Sequence, residues 1–271
     1  MSEDLQNQIE HLFRADSTNV GDWYCYPSRY FPFERSDFMD IYDFDETRLG
    51  IDIIVGGGGL IANTFNPFLD KLASLKKAGG SLIAWGIGES LNVRVDGGVV
   101  LPYASTLPDY LKSFDLVGIR DYGTEYRWVP CASCMLPHFD HDYAITQDVV
   151  IYEHKRIPLP IDGLPRRSNG GNDIDETIKF LASAETVVTN SYHGAYWATL
   201  LQRKVVCIPN MSKLYRFRHL PVICRASEWR NAMRLTVTYP DALEQCRTAN
   251  RKFYDDVIDL RVAKVKERAS S

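Results

Sequence analysis

The stretch of sequence that most constrains the fold is residues 185–209, which read ETVVTNSYHGAYWATLLQRKVVCIP. The pattern predicts a buried strand, a polar turn, a short helix at 195–201 and a second buried strand at 205–208. This order is typical of parallel sheets, and it places His193 at the carboxyl end of a strand. Ligands of open α/β folds bind there, because the next helix points unpaired backbone N–H groups at an anion. Alternatively, Ser191 merely caps that helix and His193 has a structural role.

The first half of the chain contains the same alternation of strand and helix. A predicted strand at 49–55 runs into glycines at 56–59, and a predicted helix that Asn66 would cap leads to a second strand at 81–85. These pieces predict a right-handed β-α-β unit. A further predicted strand ends just before Arg120, so this side chain is expected at the carboxyl end of the same sheet.

The second half of the chain repeats this organisation. A predicted strand at 149–152 precedes a helix that begins at Asp173, with Glu176 at the spacing of a capping box. A charged, amphipathic helix is predicted at 250–267.

The order of these elements predicts an α/β protein with two Rossmann-like domains that face each other across a cleft, which is a GT-B-like architecture. The predicted domains are residues 1–125 and 126–271, and the terminal helix is expected to pack back on the first domain.

Composition narrows the possible functions. The net charge of −4 and the pI near 5.9 argue against a nucleic-acid-binding surface and favour sugar or small-anion substrates. The N-terminal sequence MSEDLQNQIEHLF has acidic residues where a signal peptide needs a basic start, so a cytoplasmic protein is predicted. No uncharged apolar run reaches transmembrane length, and at most peripheral contact with a membrane is expected. The six cysteines are expected to be reduced, and no cofactor is predicted.

Several short segments follow one another along most of the chain in a characteristic order. They are NVGD at 19–22, GGGG at 56–59, WGIG at 85–88, GIRD at 118–121, PCASCM at 130–135 and SYHG at 191–194. Together they resemble the polysaccharide pyruvyl transferase family. Many members of that family carry Arg-Leu-His where this chain has Ser191, Tyr192 and His193, so other cations would have to hold the donor here.

The resemblance implies a GT-B-like fold and a cytoplasmic enzyme of surface-glycan assembly, although membership of the family does not by itself fix the donor. Characterised members transfer the enolpyruvyl group of phosphoenolpyruvate onto two hydroxyls of a sugar, which leaves a ketal and phosphate. On this basis residues 1–125 are expected to bind a glycan acceptor, and residues 126–271 are expected to bind the donor.

The chemistry of ketal formation assigns roles to individual residues. The methylene carbon of the enol ether must be protonated, and His193 is predicted as this acid. Asp22 is predicted as the base that takes the proton of the acceptor hydroxyl, with a role in a turn or helix cap as the alternative. The predicted donor-binding residues are Arg120, Ser191, Tyr192, Gly194, Lys213 and Arg216. The predicted acceptor-binding residues are Asn19, Gly57, Gly58 and His138.

The segment at 131–141 could instead form a metal site. Cys131, Cys134, His138 and His141 form CxxC followed by HxxH and offer four potential zinc ligands. Structural zinc sites usually draw their ligand pairs from segments a dozen or more residues apart. No metal is therefore predicted, and this segment is expected to line the cleft.

Two rival functions use the same scaffold. In a glycosyltransferase with a nucleotide-sugar donor, Glu185 or Tyr192 would contact the ribose or base, and the N–H groups from Gly194 onward would face the diphosphate. A glycan-binding protein without catalytic activity would keep the fold and tolerate loss of His193.

Overall fold

The structure is a computed structural model that describes residues 9–33, 35–46, 52–76, 80–91, 95–96, 99–100 and 106–270. The predicted strand at 49–55 is therefore described only from Asp52 onward. Residues 1–8, which carry most of the predicted non-secretory N-terminus, lie outside the described residues.

Six parallel strands form the first sheet, in the order β2-β1-β3-β4-β7-β8. They are β1 (Ile9–Phe13), β2 (Ser36–Asp40), β3 (Asp52–Gly56), β4 (Leu82–Ile87), β7 (Leu116–Ile119) and β8 (Arg127–Trp128). Between β4 and β7, the short strands β5 (Val95–Asp96) and β6 (Val99–Val100) pair with each other as an antiparallel ribbon. The predicted β-α-β unit is confirmed, because β3 and β4 are parallel neighbours.

Five parallel strands form the second sheet, in the order β10-β9-β11-β12-β13. They are β9 (Gln147–Glu153), β10 (Arg166–Ser168), β11 (Ala184–Thr189), β12 (Lys204–Cys207) and β13 (Val222–Ile223). The chain is thus a mixed α/β protein with two parallel sheets, as its alternating pattern predicted.

The helices connect and cover these strands. They are α1 (Val20–Trp23), α2 (Asn66–Ser74), α3 (Ile174–Ala182), α4 (Tyr192–Leu200), α5 (Trp229–Ala232) and α6 (Ala242–Ala269). Short 3-10 turns occupy Pro27–Arg29, Ile41–Asp43, Asp109–Ser113, Ala132–Met135, Pro137–Asp140, Ser212–Tyr215, Ala226–Glu228 and Met233–Leu235. Within the described part of the chain, no helix combines the length and the apolar character needed to cross a membrane.

Two of the predicted helix caps have different outcomes. Asp173 caps α3 as predicted, since its side chain accepts a hydrogen bond from the Glu176 backbone N–H at 3.0 Å. Asn66 does not cap α2, because the helix already includes it. Its Oδ1 instead accepts a hydrogen bond from the Tyr110 hydroxyl at 2.9 Å, so a long-range partner replaces the local one.

The 28-residue helix α6 belongs to the hydrophobic cores of both sheets. Near its start, Cys246 packs in the core that includes α4, and further along Phe253 packs against Trp85 of the first sheet, with ring centroids 5.2 Å apart. Between them Asn250 is completely buried, and its Oδ1 accepts a hydrogen bond from Trp85 Nε1 at 2.8 Å. Its Nδ2 lies within hydrogen-bond distance of the Pro130 carbonyl oxygen, at 3.2 Å.

One buried side chain of the first sheet, that of His11, makes the stability of the protein sensitive to acid. His11 lies in β1 at 1% exposure, and neither ring nitrogen has a hydrogen-bond partner among the described residues. Burial, with a smaller contribution from the charge of Arg261, lowers the pKa of His11 to about 3. The unfolded chain therefore binds a proton at this residue more readily than the folded protein does, so acid favours unfolding through His11.

We expect Asn250→Leu to lower the free energy of unfolding by about 2–4 kcal/mol, because the Trp85 N–H and the Pro130 carbonyl oxygen would lose a buried partner. Urea unfolding curves would measure the loss. Lys252→Leu, at an exposed position of the same helix, is the matched control and should change stability by less than about 0.5 kcal/mol. Equal stability of Asn250→Leu and the native protein would contradict this account of α6.

We expect His11→Leu to reduce the sensitivity of the protein to acid. Below the unfolded-state pKa near 6.5, the native protein loses stability that the variant keeps. Between pH 7.5 and pH 5.0, the free energy of unfolding of the native protein should therefore fall by about 2 kcal/mol more than that of the variant. Urea unfolding at both pH values measures this shift, and parallel pH curves for the two proteins would refute it.

Candidate functional site

A cavity of about 450 Å³ is formed by residues that follow the carboxyl ends of strands from both sheets. After strands of the first sheet come Arg14, Asp16, Asn19, Asp22, Tyr42, Gly59, Leu60, Phe65 and Ser90, and after strands of the second sheet come His154, Lys155, Arg156, Met211 and Lys213. Loops at this end of a parallel sheet are the usual place for a ligand in open α/β folds. The cavity therefore defines the candidate site.

The turn after β1 places Asp22 in the cavity wall. Asn19 caps α1, and its Oδ1 accepts a hydrogen bond from the Gly21 backbone N–H at 3.2 Å. Its Nδ2 donates to Asp22 Oδ2 at 2.6 Å, while Asn169, from the loop after β10, donates to Asn19 Oδ1 at 3.1 Å. Burial raises the pKa of Asp22, and the positive charges of Lys213 and Arg120 oppose that rise. The carboxylate is thus oriented by both halves of the chain and made more basic than an exposed one.

The first turn of α4 places His193 next to α1. His193 is buried, and its Nε2 lies 3.4 Å from Cys131 Sγ. The opposite ring nitrogen, Nδ1, lies so close to Gly21 that a Cβ at that position would be only 2.1 Å away. Burial, followed by the charges of Arg120 and Lys213, lowers the pKa of His193 well below 6.5. The imidazole is therefore neutral at pH 7.

Arg120 follows β7 and is only 2% exposed. Its guanidinium carbon lies 3.9 Å from the centroid of the Tyr192 ring, a cation–π contact. Its Nε and Nη2 have no hydrogen-bond partner among the described residues, and a Cβ on Gly59 of the cavity wall would lie 3.2 Å from Nη2. Buried donors of this kind are costly unless a ligand accepts from them, and a carboxylate or phosphate fits their planar geometry.

Two ionisable residues border this guanidinium. Lys213 lines the cavity and makes no hydrogen bond or ion pair within the described residues, and burial together with the charge of Arg120 lowers its pKa to about 8. Asp121 is buried and accepts a hydrogen bond from the Glu89 backbone N–H at 2.6 Å. Burial raises the pKa of Asp121 to about 6, although Arg120 opposes the rise. The positive charges of Arg120 and Lys213 are thus close enough to act on each other.

Of the six predicted donor-binding residues only Lys213 lines the cavity, and the predicted acid His193 does not line it either. Arg120 lies behind the cavity wall at Gly59, and three others support the site. Ser191 caps α4 by accepting a hydrogen bond from the Gly194 backbone N–H at 3.3 Å, so that N–H already has a partner. Gly194 also packs against Tyr152, since a Cβ there would lie 2.4 Å from its ring. The Tyr192 ring contacts the Arg120 guanidinium and also stacks on the Phe217 ring, with the two ring centroids 4.7 Å apart.

Other predicted residues have different surroundings. Gly57 and Gly58 have positive φ angles of 76° and 86° and form a tight turn, and a Cβ on Gly57 would lie 2.2 Å from the Cys25 carbonyl oxygen. His138 pairs through Nε2 with Asp175 on α3 and does not line the cavity. Arg216 also lies outside the lining, but its charge acts on Asp121.

The four potential zinc ligands are not brought together. Cys131 Sγ lies 3.1 Å from Ser133 Oγ, while Cys134 Sγ lies 3.4 Å from Asn250 Nδ2. In the part of the chain that the structure describes, which includes all four, no group of three or more His, Cys, Asp and Glu residues could hold a metal ion.

Several cavity residues escaped the sequence analysis. The most notable are His154, Lys155 and Arg156, which directly follow β9. Their signal was available, because a basic run immediately after a predicted buried strand falls at the carboxyl end of a parallel sheet.

No curated protein matches the chain. Among solved structures, the functionally uncharacterised protein KP1_0663 from Klebsiella pneumoniae subsp. pneumoniae NTUH-K2044 is 16% identical, over 76% of this chain and 84% of its own, with a TM-score of 0.46. The wall teichoic acid polymerase TagF is 11% identical, over 100% of this chain and 92% of its own, with a TM-score of 0.44. Both TM-scores are below 0.5, so neither likeness bears on the fold or the function of this chain.

A family model described as polysaccharide pyruvyl transferase matches residues 6–212. The match spans most of the chain and confirms the resemblance carried by the motifs at 19–22, 118–121 and 191–194. This family implies a transferase that acts on polysaccharide. The chain belongs to the polysaccharide pyruvyl transferase family.

Proposed function

We propose that this protein transfers a pyruvyl group from phosphoenolpyruvate to two hydroxyls of a sugar in a surface polysaccharide or its precursor. The observation that carries the proposal is the buried Arg120 guanidinium, whose Nε and Nη2 lack partners among the described residues. Burial and the charge of Arg120 lower the pKa of Lys213, so the two cations act on each other. Together they suit a small ligand with a carboxylate and a phosphate. The family supports the same assignment.

In the proposed reaction, His193 acts as the acid and Asp22 as the base. A proton from His193 adds to the methylene carbon of the donor, and the acceptor hydroxyl forms a C–O bond to the neighbouring carbon as Asp22 takes its proton. The second hydroxyl then forms the other C–O bond of the ketal, and the bond to phosphate breaks. One hydroxyl proton balances the new methyl group, and the other leaves with inorganic phosphate.

The proposed donor explains how a neutral histidine could become an acid. Burial, followed by the charges of Arg120 and Lys213, lowers the pKa of His193 in the free protein. An anionic donor between these cations would offset the part of the shift that their charges cause, and so would favour protonation of His193 when the donor is bound. Because Arg120 follows a strand of the first sheet and His193 and Lys213 follow strands of the second, we propose a donor site shared by residues 1–125 and 126–271.

Arg120→Met tests the donor assignment. The native protein should gain about 2.7 kcal/mol of stability from phosphoenolpyruvate at one hundred times its dissociation constant, and the variant should need at least about 10-fold more ligand for the same gain. Thermal shift measures both, and Arg234→Met, at an exposed position outside the cavity lining, is the control that should behave as the native protein does.

The same assay separates the rival donor. UDP, GDP and CMP sugars would be measured beside phosphoenolpyruvate. Stabilisation by a nucleotide sugar, without stabilisation by phosphoenolpyruvate, would replace the proposed reaction with glycosyl transfer.

Gly21→Ala tests the position of His193. The new Cβ would occupy the space of Nδ1, so the His193 ring must move, and the three atoms nearest to this Cβ all belong to His193. We expect release of phosphate from phosphoenolpyruvate, measured with a panel of sugar acceptors, to fall by about 100-fold. Stabilisation by phosphoenolpyruvate should persist, which would show that the donor site is intact. Unchanged turnover would argue against His193 as the acid.

A further inference from the structure

We propose that His154 and Arg156 form a second anion subsite, which holds a phosphoryl group attached to the acceptor sugar. The inference rests on the proposed function and specifies its acceptor as a phosphate-linked sugar. Both residues directly follow β9 and line the same cavity as Asp22. An acceptor could therefore present its hydroxyls to Asp22 while its phosphoryl group contacts the turn at 154–156.

The turn at 154–156 is held by hydrogen bonds from its own backbone. The His154 N–H donates to Asn190 Oδ1, and the Lys155 N–H donates to Asn169 Oδ1, both at 2.7 Å. The Arg156 N–H donates to His154 Nδ1 at 3.2 Å. Because Nδ1 acts as the acceptor, the proton of the neutral ring is on Nε2, which makes Nε2 a donor for a ligand.

The charges of the cavity favour an anion at this position. Its lining contains the cations Arg14, Lys155, Arg156 and Lys213 but only the carboxylates Asp16 and Asp22, although the whole chain has a net charge of −4. Such an excess of positive charge in a cleft attracts an anionic substrate.

Two of these four cations are already paired, and the others are not. Arg14 pairs with Asp40, and Lys155 Nζ lies 3.2 Å from Asp16 Oδ2. The side chains of Arg156 and Lys213 make no hydrogen bond or ion pair within the described residues. Burial, followed by the charges of Lys213, Arg156 and Lys155, lowers the pKa of His154.

The subsite is distinct from the donor site. Arg120 lies behind Gly59, on the first-sheet side of the cavity, whereas the turn at 154–156 belongs to the second sheet. Lys213 is electrostatically coupled to both, since the charge of Arg120 lowers its pKa and its own charge lowers the pKa of His154. Two anions can thus be held at once, which a transfer from one anionic molecule to another requires.

Inorganic pyrophosphate is the probe for this subsite, titrated calorimetrically in the presence of saturating phosphoenolpyruvate. We expect Arg156→Gln to weaken pyrophosphate binding about 10-fold, and the double variant His154→Gln/Arg156→Gln to weaken it further. Stabilisation by phosphoenolpyruvate should stay unchanged in both. Arg234→Gln, an exposed arginine outside the lining, is the matched control and should bind pyrophosphate as the native protein does.

The source of the phosphoryl group is separated by competition. Uridine diphosphate represents a nucleotide-linked acceptor, and farnesyl diphosphate represents a carrier-linked one. Displacement of pyrophosphate by either supports the subsite and identifies the source, whereas displacement by neither would overturn the proposal.

Unchanged pyrophosphate affinity in Arg156→Gln, or an equal loss in Arg234→Gln, would also overturn it. Failure of the proposed function has a different signature, namely no stabilisation of the native protein by phosphoenolpyruvate. In that case pyrophosphate is titrated, without phosphoenolpyruvate, into Arg120→Met and into the double variant Arg120→Met/Arg156→Gln. Weaker binding to the double variant supports the subsite, and equal binding overturns it.

Discussion

The burial of the Arg120 guanidinium is the constraint on which the rest of the site depends. A buried cation is expensive, and this one is supported by the face of Tyr192 at 3.9 Å and by the neighbouring carboxyl of Asp121. Burial, followed by this positive charge, lowers the pKa of His193 and of Lys213. The free protein thus holds cations that repel each other and a histidine that is neutral. Binding of an anion would relieve the repulsion and remove one of the two causes that keep the histidine neutral.

Contacts between the two sheets keep these groups in register. The backbone N–H of Val20 donates to the Asn169 carbonyl oxygen at 3.2 Å, and the Asn169 side chain donates to Asn19, which in turn orients Asp22. Helix α6 also contributes to the cores of both sheets, through Cys246 and Phe253. Since the proposed acid and base come from different sheets, a small relative shift of the sheets would separate them.

The Gly21 and His193 pair shows how closely the two parts fit. The imidazole occupies the space that a side chain at position 21 would need, and the Cys131 thiol lies on its other side. The glycine in the NVGD motif is therefore explained by a contact with a residue far away in sequence. A turn alone would have tolerated other residues, because Gly21 does not have a positive φ angle.

The sequence by itself determined the class of fold, since buried β-branched runs alternating with amphipathic helices can be satisfied only by covered parallel sheets. It also predicted Arg120 at the end of a strand, because that position depends only on the order of elements. Only the tertiary structure decided that the Gly194 N–H donates a hydrogen bond to Ser191, that His138 pairs with Asp175, and which cations remain unpaired. Those outcomes depend on distances between residues remote in the chain, which no local pattern encodes.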